Sequence, residues 1–281
     1  MTAQLSPTGR FEKLLLASDG TEYTESAQKI ALAMAKLTGA KLVAMRMVLS
    51  NPEYDSLVPD MAVRMEMAAY DSLLGITAEG EKLGVTCTPM VMHGSNPHED
   101  IIEAAEKVGA DVIVMGRRGS RGLARLMLGD ATARVVAQAH CQVLVVPRMT
   151  QLWSHRILLA TDGSRYSDSA AVSAIQLAKL SNLPLLIMTA CPNPGNDSVC
   201  RESEQVISRL MEHASQRGVM AESMLVEGDP VQAILDTAAK RGVDLIVGGS
   251  HGRTGMEKVF LGSVMERVMG KATCPVLTVK G

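Results

Sequence analysis

Aromatic side chains are scarce in this sequence. Phe, Trp and Tyr make up 2% of its 281 residues, whereas methionine occurs 19 times. The flexible thioether of methionine fills irregular gaps in a core. We therefore expect methionine to fill the core space that aromatic rings usually occupy. The alternative is a methionine-rich binding surface.

Charge of one sign and long apolar runs are also lacking. The 28 basic and 30 acidic residues leave a net charge of −2, and the pI is about 6.3. Because binding to a phosphate backbone needs a clustered positive field, this balance disfavours a nucleic-acid partner but still allows one small anionic ligand. The longest apolar runs, such as LPLLIM, are too short to cross a bilayer. The amino terminus, MTAQLSPTGRFEK, lacks the pattern of a signal peptide, so we expect a cytoplasmic protein with no membrane partner.

No CxxC pair and no HExxH spacing occur. The five cysteines are odd in number and have no framework spacing, which indicates reduced thiols, mostly as buried filler. The six histidines are scattered. A P-loop run, GxxxxGK[ST], is missing as well. We therefore predict no metal site and neither a P-loop kinase nor a GTPase.

The chain carries one pattern twice, in the same order. A repeat over so long a span indicates a duplicated domain rather than a solenoid, whose units are much shorter. We predict one domain over residues 1–149 and a second over 150–281. The matching stretches are LLLASDGTEYTESA with ILLATDGSRYSDSA, GADVIVMGRRGSRGLARLMLGD with GVDLIVGGSHGRTGMEKVFLGS, and HCQVLVV with TCPVLTV.

Each copy alternates apolar strands with helices. This order predicts an α/β fold with two tandem, doubly wound, parallel five-stranded sheets and helices on both faces, Rossmann-like in type. We expect Gly39 to end the first helix, and Asp229 and Pro230 to begin one in the second copy. A long helix over residues 60–82 is interpreted as a surface helix, with a lid over residues 51–82 as the alternative. Ligands of such sheets bind beyond the carboxyl ends of the strands.

Two polar segments of the second copy are predicted at that edge. The first is TDG, where Asp162 is either a ligand contact or an acidic turn residue before Gly163. The second is GGSHGRTGMEKVFLGS, with spacing G-x2-G-x9-G-S from Gly249 to Ser263. Because glycine has no side chain, the backbone amides of this segment would be accessible to an anion. A helix that begins near Ser263 would add further free amides. A plain glycine-rich connector, with Ser263 as an ordinary helix cap, is the alternative.

The DG after the first strand, the G-x2-G-x9-G-S spacing and the terminal CPVLTV strand together resemble a tandem universal stress protein over nearly the whole chain. The resemblance implies ATP, with any Mg²⁺ held on the phosphates because dedicated protein ligands are lacking. It implies Asp162 at the nucleoside, Ala190 at the adenine, and the glycine loop with Ser263 at the phosphates. His251 is interpreted as a hydrogen-bond donor rather than a catalyst, or as a bystander. The implied binding residues are Asp162, Gly163, Ala190, Gly249, Ser250, His251, Gly252, Arg253, Gly262, Ser263 and Val264.

The first copy keeps Asp19 and the glycines Gly116, Gly119 and Gly129, but Asp130 replaces Ser263. A carboxylate there would repel a triphosphate, unless arginines of the loop offset it. These are Arg117, Arg118, Arg121 and Arg125. We therefore predict that the second copy binds ATP and the first binds it weakly or not at all.

Three functions are compatible with the sequence: an ATP-binding regulatory protein of the stress response, a slow ATPase, and an interaction scaffold. We favour the first, with no catalytic residue assigned and with unidentified regulatory proteins as partners. The apolar final strands of the two copies predict that they pair edge to edge, as an intrachain pseudo-dimer. A homodimer of whole chains is also expected.

Overall fold

The computed structural model describes residues 9–49, 59–117, 128–191, 197–252 and 261–281. Contacts divide the chain into two units. The body of the first is Phe11–Arg118 with Asp130–Gln151, and that of the second is Leu152–Gly281.

The first unit alternates five strands with four helices. The strands are β1 (Lys13–Ser18), β2 (Lys41–Leu49), β3 (Cys87–Gly94), β4 (Val112–Gly116) and β5 (Gln142–Val146). The helices are α1 (Glu25–Thr38), α2 (Pro59–Lys82), α3 (Pro97–Val108) and α4 (Asp130–Gln138). All neighbouring strands are parallel, in the order β3-β2-β1-β4-β5. The sequence predicts the long helix over residues 60–82, and α2 begins one residue earlier and ends at the same residue.

The second unit repeats this arrangement. Its strands are β6 (Ile157–Ala160), β7 (Leu185–Cys191), β8 (Ala221–Glu227), β9 (Leu245–Gly249) and β10 (Val276–Val279). Its helices are α5 (Arg165–Ser181), α6 (Asp197–Gln216), α7 (Pro230–Lys240) and α8 (Ser263–Lys271). The strands are again parallel, in the order β8-β7-β6-β9-β10. The predicted fold, two tandem doubly wound five-stranded parallel sheets, is confirmed.

Local sequence signals explain several helix ends. Gly39 follows α1 with φ of 71°, and its amide donates to the carbonyl of Ala35. This left-handed conformation costs glycine little, so the helix ends there. Asp229 caps α7, because its side chain accepts a hydrogen bond from the amide of Gln232, and Pro230 follows at the first helical position.

The core lies on the central strands. Every residue of β4 and of β9 is buried, as expected for strands covered by helices on both faces. In both units the strand order reverses direction at the first strand, between β1 and β4 and between β6 and β9. The carboxyl ends of these strands border the crevice at which doubly wound sheets bind ligands. No described helix is both long enough and apolar enough to span a membrane.

Candidate functional site

A cavity of about 580 Å³ opens at the carboxyl edge of the second sheet. This volume lies within the range of small-molecule and cofactor sites. The carboxyl ends of β6, β7 and β9 meet the first turns of α7 and α8 around it. Its lining residues are Ala160, Thr161, Asp162, Ser167, Met188, Thr189, Ala190, Ser203, Pro230, Ile234, Gly249, His251, Gly252, Gly262, Ser263, Val264 and Met265.

The turn after β6 carries the acidic residue of the site. Gly163 has φ of 76°, a conformation that glycine adopts at little cost. One carboxylate oxygen of Asp162, Oδ1, accepts a hydrogen bond from the amide of Ser164 at 3.0 Å. This turn places Asp162 in the wall of the cavity, whereas Gly163 does not line it.

Three glycines of the second segment lie in close contact with neighbouring atoms. A Cβ on Gly252 would lie 2.8 Å from Oδ2 of Asp162, and a Cβ on Gly249 would lie 2.7 Å from the backbone carbon of Tyr166. A Cβ on Gly262 would lie 3.1 Å from the carbonyl oxygen of Ser250. None of the three has positive φ. Their missing side chains therefore allow Gly249 to lie against α5, Gly252 against the turn after β6, and Gly262 against Ser250.

The backbone amides near the cavity fall into two groups. The amide of Ser250 donates to the carbonyl of Val279 at 2.9 Å, and that of Gly262 donates to the carbonyl of Ser250 at 2.9 Å. Ser263 and Val264 are the first two residues of α8. Within the described part of the chain, their amides donate to no protein acceptor. The start of α8 thus presents free amides and the positive end of the helix dipole to the cavity.

Ser250 lies behind the cavity rather than in its wall. It is fully buried, and its Oγ is 3.0 Å from Nδ1 of His251. The ring of His251 lies 5.0 Å from that of Tyr166, with the two planes at 43°. Ser250 and Tyr166 therefore hold the His251 ring at the cavity wall. The contact of Ser250 with phosphate stays a prediction, and the structure shows Ser250 in contact with His251.

Several wall residues were not predicted from the sequence. They are Ala160, Thr161, Ser167, Met188, Thr189, Ser203, Pro230, Ile234 and Met265. Thr189 stands out because its hydroxyl is buried and has no hydrogen-bond partner among the residues that the structure describes. Ser203 and Ile234 come from α6 and α7. Their helical spacing marks them only as inward-facing, so their place at a cavity depends on the packing of those helices.

The other predicted residues have the following positions. Ala190, His251, Gly252, Ser263 and Val264 line the cavity. Arg253 lies outside the described residues, as do Gly119, Arg118, Arg121 and Arg125 of the first copy. No cluster of three His, Cys, Asp or Glu side chains suited to a metal ion occurs among the described residues.

The corresponding edge of the first unit differs in two ways. Oδ1 of Asp19 accepts hydrogen bonds from the amide and hydroxyl of Thr21, at 2.9 and 2.6 Å, and from the hydroxyl of Thr24 at 3.2 Å. The guanidinium group of Arg46 lies over Gly20, the residue after Asp19, since a Cβ on Gly20 would be 2.7 Å from Cζ of Arg46. Arg46 pairs with Ser18 in the sheet. By the same register, the second unit has Thr189 at this position.

The start of α4 in the first unit also differs from the start of α8 in the second. Asp130, its first residue, is 81% exposed and pairs with Arg134, whose Nε lies 3.1 Å from Oδ2. Gly129 precedes it, where Gly262 precedes Ser263. Gly116 ends β4 against the carbonyl of Tyr23, as Gly249 ends β9 against Tyr166. The amide of Arg117 donates to the carbonyl of Val146, which matches the bond of Ser250 to Val279. The first unit keeps the backbone frame but has the charged side chains of Arg46 and Asp130 at the carboxyl edge of its sheet.

Comparison with known proteins also divides the chain into two similar parts. A family model described as "Universal stress protein family" matches residues 10–147 and 154–280. A universal stress protein of Methanocaldococcus jannaschii is 34% identical over 138 residues, which cover 44% of this chain and 81% of that protein. The universal stress protein YxiE of Bacillus subtilis is 33% identical over 146 residues, covering 45% and 99%.

Solved structures match both units together. One of them is a universal stress protein from Archaeoglobus fulgidus, with a TM-score of 0.77 and 22% identity. The match covers 95% of this chain and 98% of that one. At this level of identity, the likeness concerns the fold.

Proposed function

The chain belongs to the universal stress protein family, and we propose that it is an ATP-binding regulatory protein whose second unit holds the nucleotide. The observation that carries the proposal is the cavity at the edge of β6, β7 and β9, which is lined both by a carboxylate and by the start of a helix with free amides. Cofactor sites are usually lined by apolar residues with a few convergent polar groups.

The polar groups divide the cavity by charge. The amides of Ser263 and Val264 and the positive end of α8 favour the phosphate chain, because a helix start stabilises an anion. Asp162 would repel phosphate and accepts hydrogen bonds, so it suits the ribose hydroxyls. The base then falls between Met188, Ala190 and Ile234, which supply apolar surface. Any Mg²⁺ would be held by the phosphates, as the ion commonly is with nucleotides.

The first unit is proposed to bind ATP weakly or not at all. Arg46 lies over the turn that would meet the ribose, and Asp130 places a carboxylate at the first residue of α4. The positions of Arg46 and Asp130 also support a second function, a scaffold in which the first unit serves only to bind proteins. Slow ATP hydrolysis at the second unit is a further alternative, and phosphate release above that of a binding-deficient variant would favour it.

We place the protein in the cytoplasm on the basis of its cysteines. Cys87, Cys141, Cys191 and Cys274 are all free thiols, which is the usual state in a reducing compartment.

The two aspartates offer a matched test. We expect freshly purified protein to release one adenine nucleotide per chain on acid treatment, as counted by chromatography. Asp162→Ala should weaken ATP binding in isothermal titration at least tenfold, because the ribose loses its acceptor. Asp19→Ala should leave the affinity unchanged. Equal losses in both variants, or no binding by the intact chain, would refute the proposal.

A further inference from the structure

Helix α2 has apolar residues on two sides. Toward the sheet it presents Ala69, Leu73, Ile76 and Gly80, all of which are buried. A second row, called the outer seam, consists of Val63, Met67, Tyr70 and Leu74. These four are 56%, 61%, 47% and 44% exposed, although side chains of this kind are stabilised by burial. A surface helix needs only one apolar side, so the outer seam is unexplained by the fold of the unit.

The spacing of the outer seam is that of a helix-pairing surface. Its members are four, three and four residues apart, which is the alternation of a coiled-coil seam. At 1.5 Å per residue the seam extends for about 16 Å along the helix. Four exposed apolar side chains in one line form a continuous strip rather than scattered surface residues.

The duplicated helix of the second unit provides an internal comparison. The amide of Val85 donates to Gly80 after α2, and that of Val219 donates to Ala214 after α6, so the two helices align with a shift of 134 positions. The residues that correspond to the outer seam are Asp197, Arg201, Glu204 and Ser208. All are polar. The shared fold therefore does not require apolar residues there, and the outer seam is a property of the first unit alone.

The charges beside the seam are self-complementary. Arg64 and Asp71 lie on the same flank, seven residues apart, and both are exposed. Within the described residues, neither has a hydrogen-bond or ion-pair partner. If two copies of α2 pair antiparallel about the point midway between Met67 and Tyr70, Arg64 of each lies opposite residue 73 of the other. Asp71 of the other copy is then only about 3 Å away along the axis.

We propose that the outer seam of α2 docks against the same seam of a second copy of this chain, as an antiparallel helix pair with twofold symmetry. Met67 then packs on the partner's Tyr70, a favourable contact of sulfur with an aromatic ring. Val63 packs on the partner's Leu74. Arg64 meets the partner's Asp71 near one end of the seam, and symmetry repeats that contact near the other end. Parallel pairing would instead set this flank against the partner's opposite flank, where Glu66 would lie beside the partner's Asp71. The like charges there favour the antiparallel arrangement.

Sedimentation measurements on the full chain test the interface. We expect the average mass of the wild-type chain to rise with concentration from 29.9 kDa toward twice that value. Met67→Glu should raise the dissociation constant at least tenfold, because it places two charges in the seam. Arg217→Asp, an exposed charge reversal in the second unit, serves as the control and should change nothing. Far-ultraviolet circular dichroism checks that each variant is folded.

Charge reversal then tests the antiparallel arrangement. Arg64→Asp alone and Asp71→Arg alone should each weaken association, since each sets like charges opposite one another at both symmetric contacts. An equimolar mixture of the two variants should restore association, because every contact then joins an acid to a base. A chain that stays monomeric at all concentrations, or a dimer that tolerates Met67→Glu, would overturn the proposal. Failure of the mixture to associate would overturn it too, as would a seam that binds only a helix of another protein.

Discussion

Replacement of Ser263 by aspartate is the most direct test of the nucleotide site. Ser263 is the first residue of α8 and lies in the cavity wall. An aspartate there introduces the residue that the first unit has at Asp130. The carboxylate would stand beside the amides that are proposed to bind the phosphate chain.

The expected loss follows from Coulomb's law. Two unit charges about 4 Å apart repel by about 1 kcal/mol in water and by about 4 kcal/mol at an effective dielectric constant of about 20. Ser263 is exposed, so the true value lies between these limits. The affinity for ATP should therefore fall by about fivefold to several hundredfold.

The same change should not harm the fold. An acidic side chain in the first turn of a helix interacts favourably with the helix dipole, so α8 should be at least as stable in Ser263→Asp as in the wild type. The thermal midpoint of the nucleotide-free protein should stay the same or rise slightly. This separates a loss of binding from a loss of structure.

Isothermal titration with ATP is the assay, and Ser263→Ala is the control. The alanine variant removes one hydroxyl group but adds no charge, so it should lose no more than about 1.5 kcal/mol, or roughly tenfold in affinity. An aspartate variant that binds ATP as tightly as the wild type would show that the phosphates do not lie at the start of α8. That result would refute the assignment of the cavity.

Two further predictions concern the glycine frame and the first unit. Gly249→Ala should lower the free energy of unfolding by about 1–3 kcal/mol, because its Cβ would press on the backbone of α5; in denaturant titrations, Gly75→Ala, which has open space around its Cβ, should instead stabilise slightly. The double change of Arg46→Thr with Asp130→Ser should add a second, weaker ATP site in titration, since both charged obstacles are removed. A stoichiometry that stays at one would show that other features of the first unit exclude the nucleotide.

Much of the frame could be predicted from local sequence signals. The repeated strand pattern predicted two parallel sheets, because central strands covered on both faces are apolar throughout. Gly39 marked the end of one helix, and Asp229 and Pro230 marked the start of another. These signals depend on backbone conformation and hydrogen bonds within one helical turn. The spacing from Gly249 to Ser263 predicted which edge of the sheet forms the site, because ligand loops follow the carboxyl ends of strands.

Long-range packing decided the rest. The sequence predicts that Gly249 and Gly252 leave backbone amides accessible to an anion. Only the structure shows that Gly249 lies against the backbone of Tyr166 and that Gly252 lies near a carboxylate oxygen of Asp162. Ser250 is predicted at the phosphates, and only the structure shows that its amide donates to the carbonyl of Val279.

The sequence by itself determined that the chain folds as two similar units and which edge of each sheet carries the polar loops, since these depend on local pattern and chain order. Only the tertiary structure decided which side chains meet at that place. The register of β1 with β2 brings Arg46 over the turn of the first unit, and the packing of α2 leaves one of its two apolar rows exposed. Both outcomes depend on contacts between residues far apart in the chain, which periodicity and composition do not encode.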